Sequence, residues 1–160
     1  MINKKLSLVI VFLLGVIFAG CADSSLNGTW ITNIEDVDVI WKFDNGKFEQ
    51  ALILEGQTIP VVKGTYKTKD NVFIGSGTHI HTSFFSLVLP GFDIKEEWIE
   101  VSKMDSFLRP IFREAGAEYM VDEVIKELNS EMTDVSSGYS INGNELTISY
   151  QGYNTVFIRQ

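Results

Sequence analysis

Apolar and polar residues alternate with a period of two over most of the chain from Leu26 onward, a pattern typical of half-buried β-strands. Val39, Trp41 and Phe43 form one such run, and a second run begins at Phe48. The intervening Asn45-Gly46 dipeptide supplies the positive φ angles that a type I′ hairpin turn requires. Repeated runs of this kind predict a mainly β domain of about 8–10 antiparallel strands, enough to close an up-and-down barrel.

The remaining strands are predicted from the same pattern. We expect a long β segment over 78–89, stopped by Pro90-Gly91, and a further strand around Trp98 over 96–103. Three closing strands are expected over 138–141, 145–150 and 153–159. These three strands form a C-terminal meander in this interpretation.

The period changes from two to that of a helix over residues 105–131, before the last three strands. Pro110 suits the first turn of a helix, with Asp105 or Ser106 as the cap. Gly116 marks a change of register, so one kinked helix and two short helices both remain open. The apolar stripe of this insertion, which includes Leu108, Tyr119 and Leu128, is predicted to pack on the barrel as a lid over its open end. The alternative is an insertion that packs permanently on the outer wall and stabilises the barrel without gating it.

The first 20 residues differ in composition from the rest of the chain. Lys4 and Lys5 precede an uncharged apolar run from Leu6 to Phe18, which is too short to span a membrane and is typical of a signal-peptide core. The following Ala19-Gly20-Cys21 resembles the lipobox of bacterial lipoproteins. The resemblance implies that residues 1–20 are removed and that Cys21 becomes a lipid-bearing (palmitate-type) N-terminus. We therefore divide the chain into a signal peptide (1–20), a lipidated Cys with its tether (21–25) and a barrel domain (26–160).

The net charge limits which partners the protein can bind and how it can be held at a membrane. The 160 residues carry 13 Lys and Arg against 21 Asp and Glu, a net charge of −8 that becomes −10 once Lys4 and Lys5 are removed. This charge argues against nucleic acid as a partner and repels anionic lipid, so the lipid on Cys21 must hold the protein at the membrane. We expect a lipid-anchored, non-cytoplasmic protein of the bacterial cell envelope; the sequence predicts no oligomeric state.

The first strand opens with Gly28-Thr29-Trp30, a Gly-x-Trp motif, and the last strand ends in Arg159. With the meander between them, the chain resembles bacterial lipocalin-like proteins. In lipocalins the Trp of this motif plugs the closed end of the barrel, and an Arg from the last strand lies across it. The resemblance implies that Trp30 and Arg159 form a barrel-closing pair through packing and a cation–π contact.

The resemblance also implies a barrel that binds a small hydrophobic or amphipathic ligand. We expect aromatic side chains to line its interior, and the sequence leaves open whether that interior is filled or hollow. The apolar run over 84–92 is interpreted either as core or as a rim at the barrel mouth. The candidate ligand-binding residues are Trp41, Phe43, Phe48, Tyr66, Phe73 and Phe85.

Two alternatives to ligand binding remain. His79 and His81 point to the same face of a strand, so they are candidate metal ligands that would need further ligands from neighbouring strands. A solid barrel would instead serve as a protein-interaction module of the cell envelope. We expect no enzymatic activity and no cofactor, because Cys21 is used by the lipid and no Gly-x-Ser-x-Gly motif is present.

Overall fold

Nine strands and three α-helices make up the part of the chain that the computed structural model describes, namely residues 23–89, 91–133, 136–150 and 152–160. The predicted signal peptide and Cys21 lie outside the described residues. The strands are β1 (Gly28–Ile34), β2 (Val37–Asp44), β3 (Lys47–Leu54), β4 (Gln57–Lys69), β5 (Val72–His81), β6 (Trp98–Glu100), β7 (Ser137–Asn142), β8 (Glu145–Tyr150) and β9 (Tyr153–Arg159).

Eight of these strands close into an antiparallel up-and-down barrel, in the order β1-β2-β3-β4-β5-β7-β8-β9 and back to β1. β4 pairs along nearly the whole length of β5, so β6 and β7 share the other edge of β5. β7 pairs with the start of β5 at Val72 and Phe73, whereas β6 pairs with its end at His79–His81. The predicted mainly β barrel with a helical insertion before the last three strands is confirmed.

Two-residue turns join the first five strands. Asn45 and Gly46 have φ angles of 47° and 82°, which confirms the predicted type I′ turn. The turn at Glu35 and Asp36 has φ angles of 49° and 70°, although neither residue is a glycine. Because turns of this type match the twist of the flanking strands, they set the register of each hairpin.

Three helices lie between β5 and β7: α1 (Ser83–Val88), α2 (Met104–Glu114) and α3 (Val121–Met132). The insertion therefore forms two helices, which is one of the two alternatives that the sequence left open. The break lies at Gly116, whose φ of 70° is outside the helical range and follows the end of α2 at Glu114. Pro110 lies inside α2 and not in its first turn, because the helix begins at Met104. Tyr119 lies in a short 3-10 turn (Glu118–Met120) and is 84% exposed, so its predicted place in the buried stripe is wrong.

The β segment predicted over 78–89 is wrong beyond His81. Thr82 ends the strand: its backbone N–H donates to the carbonyl of Glu97 and its hydroxyl donates to the carbonyl of Lys95. Phe84 and Phe85 then follow in α1, and both are buried. Two consecutive buried side chains suit a helix packed at a barrel end, whereas an alternating strand would expose one of them. The strand predicted over 96–103 is likewise shorter and covers only β6.

The barrel and the helical insertion share one hydrophobic core. Met104 and Leu108 of α2 and Leu128 and Met132 of α3 belong to the same buried cluster as the barrel aromatics. The helices contact β4, β5 and β6. Arg109 links α2 to α3 through Asp122 at 2.6 Å, an exposed ion pair that contributes little to stability. The insertion is therefore held by its apolar face.

Candidate functional site

Different elements of the chain lie at the two ends of the barrel. The strands alternate in direction, so the starts of β1, β3 and β5 lie at one end, together with the short 3-10 turn Ser24–Leu26 that precedes β1. The end of β5, with β6 and the start of α2, lies at the other end. We call these the Trp30 end and the helical end.

Trp30 is fully buried at its end, with the guanidinium carbon of Arg159 4.3 Å from its ring centroid. The two residues are register partners on β1 and β9. The indole Nε1 donates to the carbonyl of Leu26 at 2.7 Å, and Nη2 of Arg159 donates to the carbonyl of Ser25. The structure thus places both residues in the arrangement that the lipocalin resemblance implied.

The residues expected to form the tether are partly fixed to the barrel. The hydroxyl of Tyr139 donates to a carboxylate oxygen of Asp23 at 2.9 Å. The same carboxylate accepts from the backbone N–H of Ser25, and this hydrogen bond lowers the pKa of Asp23. Cys21, the predicted lipidation residue, lies outside the described residues. The described part of the expected tether, Asp23–Ser25, therefore belongs to the folded domain.

Five of the six candidate ligand-binding residues pack against one another inside the barrel. Trp41 lies 5.3 Å from Phe43 and 5.9 Å from Phe48 between ring centroids, and Phe43 lies 5.1 Å from Tyr66 and 5.9 Å from Phe73. All five are at most 3% exposed. Their rings therefore occupy part of the interior in which a ligand was expected, and they contact each other in edge-to-face, tilted and stacked arrangements.

Phe85, the sixth candidate, lies apart from this cluster. It is buried on α1 and contacts Phe84 at 5.6 Å and Phe107 of α2 at 5.7 Å between ring centroids. Phe107 in turn lines an open cleft at the helical end. Phe85 therefore supports the wall of this cleft from behind.

The cleft has a volume of about 390 Å³ and lies between the end of β5, β6 and the start of α2. β6 and α2 are adjacent in the chain, and the 3-10 turn Val101–Lys103 joins them. This turn directs the start of α2 across the end of β5. The lining residues are His79, Trp98, Ile99, Glu100, Lys103, Ser106 and Phe107.

An ion pair forms the polar part of the cleft. Lys103 donates to Glu100 at 2.8 Å, and this hydrogen bond holds the pKa of Glu100 below its usual value. His79 is the register partner of Glu100 across β5 and β6, and its Nδ1 lies 2.9 Å from the hydroxyl of Thr78. A cation, an anion and an imidazole thus line the same cleft as the apolar side chains of Trp98, Ile99 and Phe107.

His81 has a different environment from His79. Its ring forms a T-shaped contact with Trp98, with centroids 4.9 Å apart, and its Nδ1 accepts from the N–H of Ser83 at 3.3 Å. Burial lowers the pKa of His81, and the nearby Lys63 adds to that effect while Glu96 opposes it. The ammonium of Lys63 lies 4.4 Å from the Trp98 ring centroid. Trp98 is therefore held by a histidine and a cation.

Among the residues that the structure describes, the metal site predicted at His79 and His81 has no third ligand. Within the described ranges, no group of three or more His, Cys, Asp or Glu side chains is arranged to hold a metal ion. Glu100 is opposite His79 but is engaged by Lys103. The two histidines therefore border the cleft without forming a metal-binding set among these residues.

The cleft contains residues that the sequence did not single out for binding. Trp98, Phe107 and Lys103 come from three different elements, and only packing of α2 against β6 brings them together. The one signal in the sequence is Trp98, an aromatic residue that stands in the charged stretch Glu96–Lys103. A large aromatic residue between charged neighbours is a weak indication of a binding surface.

Comparison with known proteins finds no match: no protein family, curated protein or solved structure matches the chain. Among the residues described, no helix has the length and apolarity needed to cross a membrane.

Proposed function

We propose that this protein is a lipid-anchored binding protein of the bacterial cell envelope, with no enzymatic activity. The cleft at the helical end binds a small amphipathic molecule, and the lipid on Cys21 holds the domain at the membrane. The observation that carries the proposal is that one open cleft combines the apolar side chains of Trp98, Ile99 and Phe107 with polar and charged groups, which are the two kinds of contact that a small amphipathic molecule requires.

The cleft offers two kinds of contact to a ligand. The side chains of Trp98, Ile99 and Phe107 suit an apolar or aromatic body. Lys103 and Glu100 suit a charged or hydrogen-bonding group at one side of it. Its volume of about 390 Å³ lies within the range of about 300–1,000 Å³ that small ligands occupy.

The ligand position in this proposal differs from the interior expected from the sequence. The interior aromatic rings contact each other at 5.1–6.0 Å between centroids, so these rings already have neighbouring rings as packing partners. A ligand among them would have to separate rings that already pack well, which costs the dispersion energy of those contacts. The cleft requires no such separation.

A titration with a fluorescent fatty acid tests the cleft. We expect Phe107→Ala and Trp98→Ala to weaken binding by about tenfold each, because a lost aromatic contact is worth about 1.4 kcal/mol. Tyr119→Ala is the matched control, since Tyr119 lies on the same insertion but outside the cleft. Unchanged affinity in both cleft variants, or equal weakening in the control, contradicts this position for the ligand.

The anchor is tested separately. We expect the mass of the native protein to show cleavage before Cys21 and added acyl chains on that residue. Cys21→Ser protein should move from the detergent phase to the aqueous phase in Triton X-114 partition. A native protein without lipid mass contradicts the anchor and leaves the cleft experiment valid.

A protein-interaction module is the second candidate function. Tyr119 is 84% exposed and Met120 42% exposed at the turn between α2 and α3, where an exposed aromatic residue suits a protein partner. Cross-linking in intact cells from a photoreactive residue at position 119 tests this candidate. A single cross-linked envelope protein supports it, and cross-links to no protein contradict it.

A further inference from the structure

The chain crosses the Trp30 end of the barrel just before β1 begins. At one side of the ring, the hydroxyl of Tyr139 on β7 donates to the carboxylate of Asp23 at 2.9 Å. At the other side, the hydroxyl of Tyr66 on β4 donates to the side-chain carbonyl of Asn27 at 3.3 Å. β4 and β7 are each three places from β1, in opposite directions around the eight-stranded ring, so residues 23–27 pass over the barrel end. We call residues 23–27 the end segment.

Further contacts fix the end segment between those two points. Leu26 is fully buried and belongs to the barrel core. The carbonyl of Ser25 accepts from Arg159 on β9. The backbone N–H of Asn45, in the turn between β2 and β3, donates to the side chain of Asn27 at 3.0 Å. The end segment is therefore held by strands on several sides of the ring and not by one wall.

Asp23, the first residue that the structure describes, lies over the interior of the ring. Its partner Tyr139 packs on Phe73, an interior aromatic residue, with ring centroids 4.8 Å apart. Burial raises the pKa of Tyr66 on the β4 side of the ring, and the nearby charge of Asp23 adds to this effect. The chain therefore reaches the barrel at its end face and not beside a wall.

The connection between this end and the proposed lipid is short. Only Ala22 separates Cys21 from Asp23 in the sequence. At about 3.3–3.6 Å per residue, two residues span about 7 Å. Strands about 4.8 Å apart and tilted by about 40° give an eight-stranded barrel a backbone radius of about 8 Å, to which the outward side chains add. The connection is thus shorter than the barrel radius, so the barrel cannot lie on a wall while the lipid stays inserted.

The cleft is at the far end of the barrel. Along β5, His79 of the cleft follows Val72 by seven residues. This separation is about 23 Å along the strand and about 18 Å along the axis of a barrel whose strands tilt by about 40°. Val72 pairs with Gly138, the chain neighbour of the Tyr139 that holds Asp23. The cleft is therefore about 18 Å farther along the barrel axis than the level at which Asp23 is held.

We propose that the barrel stands on its Trp30 end at the bilayer, with the cleft held away from the lipid and open to the aqueous compartment; this rests on the proposed anchor at Cys21. The turns at this end expose polar residues that suit the headgroup region, among them Asn45, Asp70 and Asn142. The amphipathic ligand of the cleft then enters from water as a dispersed molecule, and not from the bilayer that holds the anchor.

Isoleucine methyl groups at the two ends provide the test. The chain contains one cysteine, so the domain can be coupled through Cys21 to a maleimide lipid in phosphatidylcholine nanodiscs. With a gadolinium-bearing lipid added, we expect the methyl signals of Ile141 and Ile158, at the Trp30 end, to lose more than half of their intensity. Ile53, near the far end of β3, and Ile99, in the cleft, should keep more than four-fifths of theirs.

A longer tether separates the short connection from other causes. A Gly-Ser linker of about 12 residues between Ala22 and Asp23 has a mean span of about 20 Å, so the domain is free to turn. The difference in signal loss between the two ends should then fall at least threefold. The same linker inserted after Tyr119, which is 84% exposed, is the control and should leave the difference unchanged. Unchanged methyl shifts of the buried Ile80 and Ile148 establish that both variants are folded.

Three outcomes overturn the proposal. Equal losses at Ile99 and Ile158 mean that the domain has no fixed orientation, and a larger loss at Ile99 means that the cleft lies at the lipid. An unchanged difference in protein whose Cys21 is blocked with N-ethylmaleimide means that the tether is not its cause. Because the coupling is chemical, absence of lipid from native Cys21 refutes the anchor alone, whereas a flat methyl profile refutes the end-on orientation alone. Neither result alters the fatty-acid titration that tests the cleft.

Discussion

The guanidinium of Arg159 lies 4.3 Å from the ring centroid of Trp30, and the two residues are register partners on the last and first strands. The same guanidinium donates to the carbonyl of Ser25, and the Trp30 indole donates to the carbonyl of Leu26. One pair of side chains therefore joins β1, β9 and the turn that precedes β1. Because these strands close the ring, the pair stabilises barrel closure itself.

Trp30→Ala should lower the free energy of unfolding by about 3–5 kcal/mol, as large core truncations do. Trp30 is fully buried, and its removal leaves a cavity and an uncovered guanidinium. Urea denaturation measures the change. Because the cleft lies at the other end, fatty-acid affinity of the folded fraction should stay within twofold. A loss below about 1 kcal/mol would contradict the closing role.

Gly64→Ala should be strongly destabilising, because two backbones approach each other at this position. A Cβ on Gly64 would overlap the carbonyl oxygen of Ser76 and lie 2.7 Å from a ring carbon of Phe48. The strand is bulged here, between Lys63 and Gly64, so the backbone has little room to move. We expect a cost of about 3 kcal/mol in urea denaturation.

Gly138 provides the matched control for that substitution. It also lies in a strand, and a Cβ there would meet only the Cβ of Ser149 at 3.7 Å, an ordinary contact distance. Gly138→Ala should change the free energy of unfolding by less than about 0.5 kcal/mol. Equal costs for the two substitutions would show that strand propensity, and not the close approach at Gly64, decides the effect.

Local patterns were sufficient to predict most of the barrel. Strand alternation depends on neighbours two residues apart, and the turn at Asn45-Gly46 depends on the φ angles of two residues. Both are properties of short segments, so the sequence contains them directly. The turn at Glu35 and Asp36 shows the limit, because Glu35 is not a typical turn residue and the pair contains no glycine, although both residues have positive φ angles.

Tertiary contacts decided what the sequence could not predict. Phe84 and Phe85 have strand-like composition, but the hydrogen bonds of Thr82 end β5 before them. Asp23–Ser25 looks like a polar linker, but Tyr139 and Arg159 fix it from strands more than 100 residues away. The cleft also depends on tertiary contacts, because Trp98 and Phe107 line it together only when α2 packs on β6.

Stability should fall with decreasing pH through the titration of His81. Burial lowers the pKa of His81 in the folded protein below its unfolded value of 6.5, so the unfolded state binds the proton more readily. Its contribution is fully present above about pH 6.5 and is lost as the pH falls from there toward the folded-state pKa. We expect a lower urea midpoint at pH 5.5 than at pH 7.5, and a smaller difference in His81→Gln. A histidine NMR titration with a His81 midpoint above 6.5 would contradict the assignment.

Leu128→Ala should destabilise the whole domain and not only the helical insertion. Leu128 is 6% exposed on α3 and belongs to the buried cluster that includes Trp41 and Phe73 inside the barrel. Removing three buried carbons from such a site costs about 2–5 kcal/mol. Glu127→Ala, an exposed neighbour on the same helix, should change the free energy of unfolding by less than about 0.5 kcal/mol. Urea curves followed by barrel tryptophan fluorescence and by helical circular dichroism should shift together for Leu128→Ala.

Replacement of residues 106–132 by a Gly-Ser linker should unfold the barrel, because the helical insertion contributes Leu128 and other buried residues to the same core. A stable barrel after that replacement, or separate transitions for the two probes, would mean that the insertion is a detachable lid, as the sequence pattern predicts.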